Sequence, residues 1–163
     1  MYGGAFIPRN VSTNNPDGLI SAFRDMNEMG AQVVGIGLNA SLATGGFPDN
    51  SVSSGWRDAI IASAITVPWS FEAPWQEMLD AQDSLTENIM PRLKQILPGG
   101  GQAYMNEGDF QDPDWKRVFY GENYERLEQI KDKYDPNHLF YALTAVGSDH
   151  WEPQPDGRLC KAS

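Results

Sequence analysis

The sequence predicts an α+β domain with a mostly antiparallel sheet that is covered by helices on one face. Strand-like and helix-like segments follow one another in the order β, α, β, β, α, β, α, β. The 16 glycines and 11 prolines indicate many turns, and the segments between them are too apolar for a disordered chain. A chain of 163 residues has the length of about one domain and can bury a core. The second face of such a sheet would be free to cover something else.

The first predicted elements are a strand, a helix and a second strand. Residues 5–8 form a short apolar run that ends at a proline. Asn15 and Pro16 are typical of a helix start, as cap and first-turn residue, and Gly30 ends this helix. Its apolar residues recur at helical spacing: Leu19, Ile20, Phe23, Met26 and Met29. Residues 31–38 predict an apolar strand, and its two glycines suggest the close approach of a large group.

The middle of the chain predicts a loop, a strand and a long helix. Residues 43–55 are rich in Gly, Pro, Asp, Asn and Ser, which is typical of a loop. Residues 59–67 form a second apolar run, which we interpret as a strand. Residues 74–97 predict an amphipathic helix, and Pro91 should kink it or divide it in two.

The C-terminal part predicts a strand that contains Tyr104, two helices and a last strand. The predicted helices cover residues 112–119 and 121–134, and the last strand covers residues 139–146. The proline-rich tail is expected to be extended. The glycines at 99–101 do not predict a phosphate-binding loop, because no Lys-Ser/Thr pair follows them.

Charge and hydropathy exclude several classes of partner. The net charge of −10 argues against nucleic acid or an anionic membrane as a partner, since both select for Lys and Arg. No apolar run approaches the roughly 18 residues of a membrane span. The first residues do not have the basic and then apolar pattern of a signal peptide.

Tyr104 and Asn106 are the candidate functional side chains. A tyrosine at the end of a strand can present its hydroxyl to a pocket, and residues two apart in a regular strand point to the same face. An amide there can both donate and accept hydrogen bonds. The alternative is that Tyr104 is a buried core phenol and that Asn106 forms a turn.

No metal site is predicted. The acidic residues 107, 109, 112 and 114 miss the spacing of a calcium loop, and a solvated, helix-capping loop is the favoured interpretation. His138 and His150 are too far apart in sequence to indicate a metal-binding pair.

Several motifs between residues 102 and 160 resemble one family. They are Tyr-x-Asn at 104–106, Trp-Lys-x-x-Phe-Tyr-Gly-x-Asn-Tyr-x-x-Leu at 115–127, Ile-Lys-x-Lys-Tyr-Asp-Pro at 130–136 and Leu-Phe at 139–140. This pattern resembles the C-terminal signature of FAD-linked oxidases of the berberine-bridge-enzyme type, in the vanillyl-alcohol-oxidase superfamily. The closing residues 146–160 are similar to the tail of its fungal members. Residues 1–70 resemble the family more loosely.

The resemblance implies roles for the two candidate residues. The tyrosine that matches Tyr104 sits beside the flavin and, in several members, takes the substrate's hydroxyl proton while hydride passes to the flavin N5. The asparagine that matches Asn106 helps to hold the flavin or the adjoining loop. Many plant members have a second tyrosine where this chain has Glu107, so the role of that second tyrosine is not implied here.

The resemblance also implies a division of the chain and a function. Residues 1–101 would be part of a substrate-binding domain, and residues 102–163 a segment that returns to the flavin. The N-terminal FAD-binding domain of the family is absent from these 163 residues, so the chain would be half of a two-domain flavoenzyme and inactive alone. The whole enzyme would oxidise an alcohol, a sugar or a secondary metabolite, with FAD as cofactor. A non-redox cyclase and a non-catalytic binding domain are the alternatives.

Three residues bear on the cellular compartment. Asn10 and Asn39 each begin an Asn-x-Ser tripeptide, the acceptor for N-glycosylation in secreted proteins. Cys160 is the only cysteine, so it is either a free thiol in a mobile tail or bridged to a region outside this chain. We expect a glycoprotein of the secretory pathway.

Overall fold

A three-stranded antiparallel sheet organises the structure, a computed structural model that describes residues 1–45 and 50–162. The strands are β1 (Tyr2–Pro8), β2 (Gln32–Gly37) and β3 (Ala59–Thr66), in the order β1-β3-β2. Both outer strands run antiparallel to β3. The predicted α+β class, with a mostly antiparallel sheet, is therefore confirmed.

Helices cover one face of this sheet. The α-helices are α1 (Arg9–Asn14), α2 (Pro16–Glu28), α3 (Leu42–Gly45), α4 (Gly55–Asp58), α5 (Trp75–Ser84), α6 (Met90–Lys94) and α7 (Tyr124–Tyr134). The Asn15 side chain accepts a hydrogen bond from the Gly18 N–H and so caps α2, as predicted. The core between sheet and helices centres on the fully buried side chains of Ile7, Met26, Ile65, Leu85, Ile89, Met90 and Leu93.

The register of the strands decides which residues face these helices. Ile7 pairs with Ile61, and Val33 pairs with Ile65, and all four belong to the helix-side core. Their neighbours point to the other face, because side chains alternate along a strand.

Pro91 divides the long helix, as predicted. A wide π-helical turn (Leu85–Ile89) joins α5 to α6, and the Met90 N–H donates to the Leu85 carbonyl. Proline has no N–H to continue the regular helical pattern, and the wider turn lets Leu85, Ile89 and Met90 all point into the core.

Two predicted strands are absent from the described residues, and those predictions were wrong. Tyr104 precedes a 3-10 turn (Met105–Glu107) instead of lying in a strand. Residues 139–146 form turns, because the Asp135 carboxylate accepts the backbone N–H groups of Leu139 and Phe140.

The remaining C-terminal elements are short. A π-helical turn (Lys116–Tyr120) and a 3-10 turn (Gly121–Asn123) lead into α7, where helices were predicted. The tail folds as a hairpin of β4 (Trp151–Pro153) and β5 (Leu159–Lys161). In the loop predicted over 43–55, residues 46–49 lie outside the described part of the chain.

No helix within residues 1–45 and 50–162 combines the length and the apolarity needed to cross a membrane.

Candidate functional site

The sheet has a second face that the chain covers only in part: Phe6 and Ala62 on this face are buried beneath Trp56 of α4. On this face Tyr2 is 58% exposed, Val34 53% and Ile36 49%. These side chains come from both outer strands and pair with Thr66, Ala64 and Ala62 of β3. An exposed apolar surface of this kind, on the two outer strands, is typical of a binding face or an interface. We call it the open face.

Two backbone hydrogen bonds bring Tyr104 to the edge of the open face. The Phe6 N–H of β1 donates to the Gln102 carbonyl at 2.7 Å, and the Ala103 N–H donates to the Val118 carbonyl at 2.9 Å. Ala103 is buried against Val118 and Phe119. The chain is thus fixed on both sides immediately before Tyr104.

Gly4 allows the turn after Tyr104 to lie directly on β1. A Cβ added at Gly4 would be 2.9 Å from the Glu107 carbonyl oxygen and 2.5 Å from that of Ser63. Only a residue without a side chain fits between these backbone atoms. The close approach also explains why residues 104–107 leave the strand direction: the chain crosses over β1 and does not extend it.

An aromatic row connects Tyr104 to the sheet. The Phe6 ring contacts the Trp56 ring with a centroid distance of 4.4 Å, and Trp56 meets Tyr104 edge-on at 5.5 Å. Tyr104 remains 38% exposed. The hypothesis that Tyr104 is a buried core phenol is therefore wrong, and its ring stands beside an uncovered surface.

Asn106 contacts Tyr104 directly. Its side-chain Nδ2 donates a hydrogen bond of 2.6 Å to the Tyr104 hydroxyl oxygen. The two side chains meet through a turn and not through a regular strand, so the predicted proximity is correct although the predicted geometry was not. The amide can stabilise negative charge on that oxygen, as any N–H donor does. The predicted flavin contact of Asn106 stays a prediction.

An aromatic cluster supports this segment, with Tyr124 buried and Trp115 and Tyr120 half-buried. Trp115, Tyr120 and Tyr124 contact one another edge-on, at centroid distances of 5.5 to 6.2 Å. The Tyr120 hydroxyl donates to the Thr144 carbonyl at 3.0 Å and lies 2.9 Å from the Met105 sulfur. Burial raises the pKa of Tyr120 to about 12. Tyr120 is therefore protonated at neutral pH and acts as a structural support.

The acidic loop after Tyr104 is not fully solvated, contrary to our expectation. Asp109 and Asp112 are each only 3% exposed. Asp112 forms a 2.6 Å ion pair with Lys94 at the end of α6, and its other carboxylate oxygen accepts a hydrogen bond from the Asp114 N–H. Burial raises the pKa of Asp109. These carboxylates tie the loop to the helix layer, a long-range role that local spacing does not reveal.

His138 and His150, whose separation in the sequence did not indicate a metal-binding pair, lie next to each other in the structure. Their rings stack with a centroid distance of 3.6 Å, and Asp132 lies 3.2 Å from His138. The turn at 135–138 and the short 3-10 helix Ser148–His150 bring the rings together.

A cleft of about 910 Å³ lies at the far end of β1. Arg9 and Arg117 line it together with Asp58 and Glu122, so its charges balance. Tyr104 and Asn106 do not line this cleft, but Phe6 and Gln102 do, so the cleft adjoins the candidate site.

The residues predicted for modification are all exposed. Asn10 lies in α1, and Asn39 follows β2, where its Oδ1 accepts hydrogen bonds from the Ser41 N–H and hydroxyl. Cys160 lies on β5 as an exposed free thiol. Glycosylation, a disulfide to a region outside this chain, and secretion stay predictions.

Sequence reasoning missed most of the open face. The sequence placed Val34 and Ile36 in an apolar strand but did not indicate which face of the sheet they occupy. It also did not connect Phe6 and Trp56 with Tyr104. The alternation of side chains in β2 could have indicated two faces. The pairing of Trp56 with Tyr104 spans 48 positions and has no local signal.

Comparison with known proteins identifies the class to which this fold and site belong. The family described as "Berberine and berberine like" matches residues 103–147, which contain Tyr104, Asn106 and α7. The chain belongs to the berberine-bridge-like FAD-linked oxidoreductases of the vanillyl-alcohol-oxidase type, and corresponds to a C-terminal portion of them.

Individual relatives define this position further. The FAD-linked oxidoreductase sor8 of Hypocrea jecorina is 43% identical over the whole chain, which spans 28% of that protein. The bifunctional decalin synthase calF of Penicillium decumbens is 44% identical over 70% of the chain, which spans 20% of it. The crystal structure of the VAO-type flavoprotein MtVAO615 from Myceliophthora thermophila superposes with a TM-score of 0.85 at 30% identity, covering 99% of this chain and 30% of that one.

Proposed function

We propose that this chain forms the substrate side of an FAD-dependent oxidase whose flavin is held by an N-terminal domain. The observation that carries the proposal is the position of Tyr104, a half-exposed phenol at the edge of an uncovered apolar sheet face. An apolar face that is exposed on the two outer strands fits one side of a planar ring system and a small substrate. FAD, when bound, would supply the acceptor for the substrate's hydride.

In this proposal Tyr104 takes the proton of the substrate hydroxyl. A base must present its oxygen to a space that the substrate can enter, and the Tyr104 side chain meets this condition because it is not enclosed. Asn106 orients the phenol, and its N–H donor stabilises the charged oxygen that acts as the base. Trp56 packs against the Tyr104 ring and restricts its position.

The substrate class in this proposal is an alcohol, a sugar or a secondary metabolite. The open face is apolar apart from one phenol hydroxyl, because its exposed side chains are Tyr2, Val34 and Ile36. An apolar surface of this kind suits a hydrocarbon-rich secondary metabolite better than a free sugar, which requires many hydrogen-bond partners.

A non-redox cyclisation is the second candidate function. It is favoured by one observation, the 44% identity to a relative named a bifunctional decalin synthase. In that case the apolar face would fold a flexible substrate chain, and the flavin would have no part in turnover.

The test uses the chain joined to the N-terminal flavin-binding domain of a relative. Anaerobic addition of an alcohol substrate should bleach the flavin, which is measured by stopped-flow absorbance. Tyr104→Phe removes the proton acceptor and should slow bleaching by roughly 100-fold or more. Tyr134→Phe changes an exposed phenol on α7 and serves as the matched control.

Each other outcome identifies a different function. An unchanged rate in Tyr104→Phe would exclude Tyr104 as the base. Bound flavin that is never reduced while substrate is consumed would indicate the cyclase. Failure to bind either flavin or the N-terminal domain would indicate a binding domain without catalysis.

A further inference from the structure

A second cluster of functional side chains lies away from Tyr104, where the last helix meets the C-terminal hairpin. It consists of Asp132 in α7, His138 in the following turn and His150 directly before β4. His138 Nε2 lies 3.2 Å from Asp132 Oδ1, and potential ligand atoms of all three residues lie within 4.8 Å of one another.

The backbone holds His138 firmly in this position. Its φ of 51° lies in the left-handed region, which is uncommon for a residue with a side chain and persists only where the surroundings maintain it. The His138 N–H donates to the Asp135 carbonyl, and the Trp151 indole N–H donates to the His138 carbonyl. The side chain is only 11% exposed. The imidazole is therefore presented in a fixed direction.

His150 is held through its backbone while its ring is exposed. Its N–H donates to the Gly147 carbonyl, and its own carbonyl accepts the Ala162 N–H. The two rings lie within 18° of parallel. Because imidazole lone pairs lie in the ring plane, the His150 ring must turn out of the stack before both rings can bind one ion. Its exposure permits this rotation.

The geometry indicates that Nε2, and not Nδ1, is the nitrogen of His138 that is accessible to a ligand. Nδ1 is buried, has no hydrogen-bond partner among the described residues, and is closed in by Gly147, where an added Cβ would lie 3.0 Å away. Nε2 faces Asp132 instead. Ligand atoms in a tetrahedral zinc site lie about 3.4 Å apart, given bonds of roughly 2.1 Å, and the separation of Nε2 and the Asp132 oxygen matches this spacing.

We propose that Asp132, His138 and His150 bind one divalent transition-metal ion of the zinc class. Two imidazoles and one carboxylate are a donor set typical of Zn²⁺, and an exposed fourth position is left for water. The ion would join α7, the turn at 135–138 and the β4–β5 hairpin. It would thus fix the C-terminal tail to the segment that supports Tyr104. The proposal does not depend on the proposed oxidase function.

The test measures Zn²⁺ binding by the full chain after chelation and dialysis, with the N-terminal domain added if the chain alone does not stay in solution. We expect one Zn²⁺ per chain, a higher thermal unfolding midpoint with Zn²⁺, and visible ligand-field bands when Co²⁺ replaces it. His150→Ala and Asp132→Asn should each weaken binding at least about tenfold. Glu152→Gln alters an exposed acid on β4 and should leave binding unchanged.

His150 is exposed, so His150→Ala is expected to fold, and its circular dichroism spectrum is checked first. No Zn²⁺ retained by the folded wild-type chain would overturn the proposal. The proposal would also be overturned if wild type and His150→Ala bound Zn²⁺ with equal affinity. The same holds if Glu152→Gln weakened Zn²⁺ binding as much as His150→Ala does.

Discussion

The two faces of the same three-stranded sheet differ in whether this chain covers them. On the helix side, Ile7, Ile65 and Leu93 are completely buried. On the open face, Val34 and Ile36 are each about half exposed, although they are as apolar as their neighbours. Apolar side chains of this size, fully buried, each contribute about 1.5–3 kcal/mol.

The two faces therefore contribute differently to the stability of this chain. The helix-side core gives this chain its own folding energy. The exposed side chains of the open face contribute little until another surface covers them, and Tyr104 lies at the edge of this face. Uncovered apolar surface next to a candidate base is expected where a substrate and a second domain must enter.

The largest expected effect is the loss of stability when a substitution leaves a cavity in the helix-side core. Leu93→Ala should lower the free energy of unfolding by about 2–5 kcal/mol, because Leu93 is 0% exposed and packs between the helices and the sheet. Ile36→Ala on the open face should change it by no more than about 0.5 kcal/mol. Urea unfolding followed by circular dichroism measures both. Equal effects would show that the faces are not independent.

A smaller effect is expected where the two regions meet. Gly4→Ala places a methyl group between the Ser63 and Glu107 carbonyls and should cost about 1–3 kcal/mol, with displacement of the Tyr104 turn. Gly37→Ala is the matched control, since its Cβ would meet only the Ile60 carbonyl at 4.0 Å. Urea unfolding followed by circular dichroism measures the cost. A Gly4→Ala chain as stable as the control would contradict the contact.

The smallest effect on stability is expected for substitutions on the open face, which should nevertheless change dye binding clearly. The chain alone is expected to bind an apolar dye such as ANS, because Tyr2, Val34 and Ile36 expose apolar side chains on the open face. Val34→Ser with Ile36→Ser should lower the dye signal and change stability by no more than about 0.5 kcal/mol. Ile20→Ser, on an exposed position of α2, is the control. A compact monomer without any dye response would argue against an open face.

Local signals explain what could be predicted. Asn15 and Pro16 indicated the start of α2, and Pro91 indicated the break in the long helix, since each acts on its own backbone neighbourhood. The predicted strand at 139–146 failed because the Asp135 carboxylate binds the N–H groups that a sheet would need. Residues with strand-like composition do not form a strand without a partner.

The candidate site was predicted in part. The motif around Tyr104 and Asn106 indicated the two side chains and their proximity. It did not indicate that Trp56 packs on Tyr104, that Asp109 and Asp112 are buried, or that His138 meets His150. Each of these contacts joins residues that only the folded chain brings together.

By itself, the sequence determined the class of fold, the longer helices and the family of the Tyr104 segment, because caps, prolines and motifs act within a few residues. Only the tertiary structure decided which sheet face is closed, where Tyr104 stands and which histidines meet. These features depend on strand register and on hydrogen bonds between distant segments, such as the one from Phe6 to Gln102, and no local pattern encodes them.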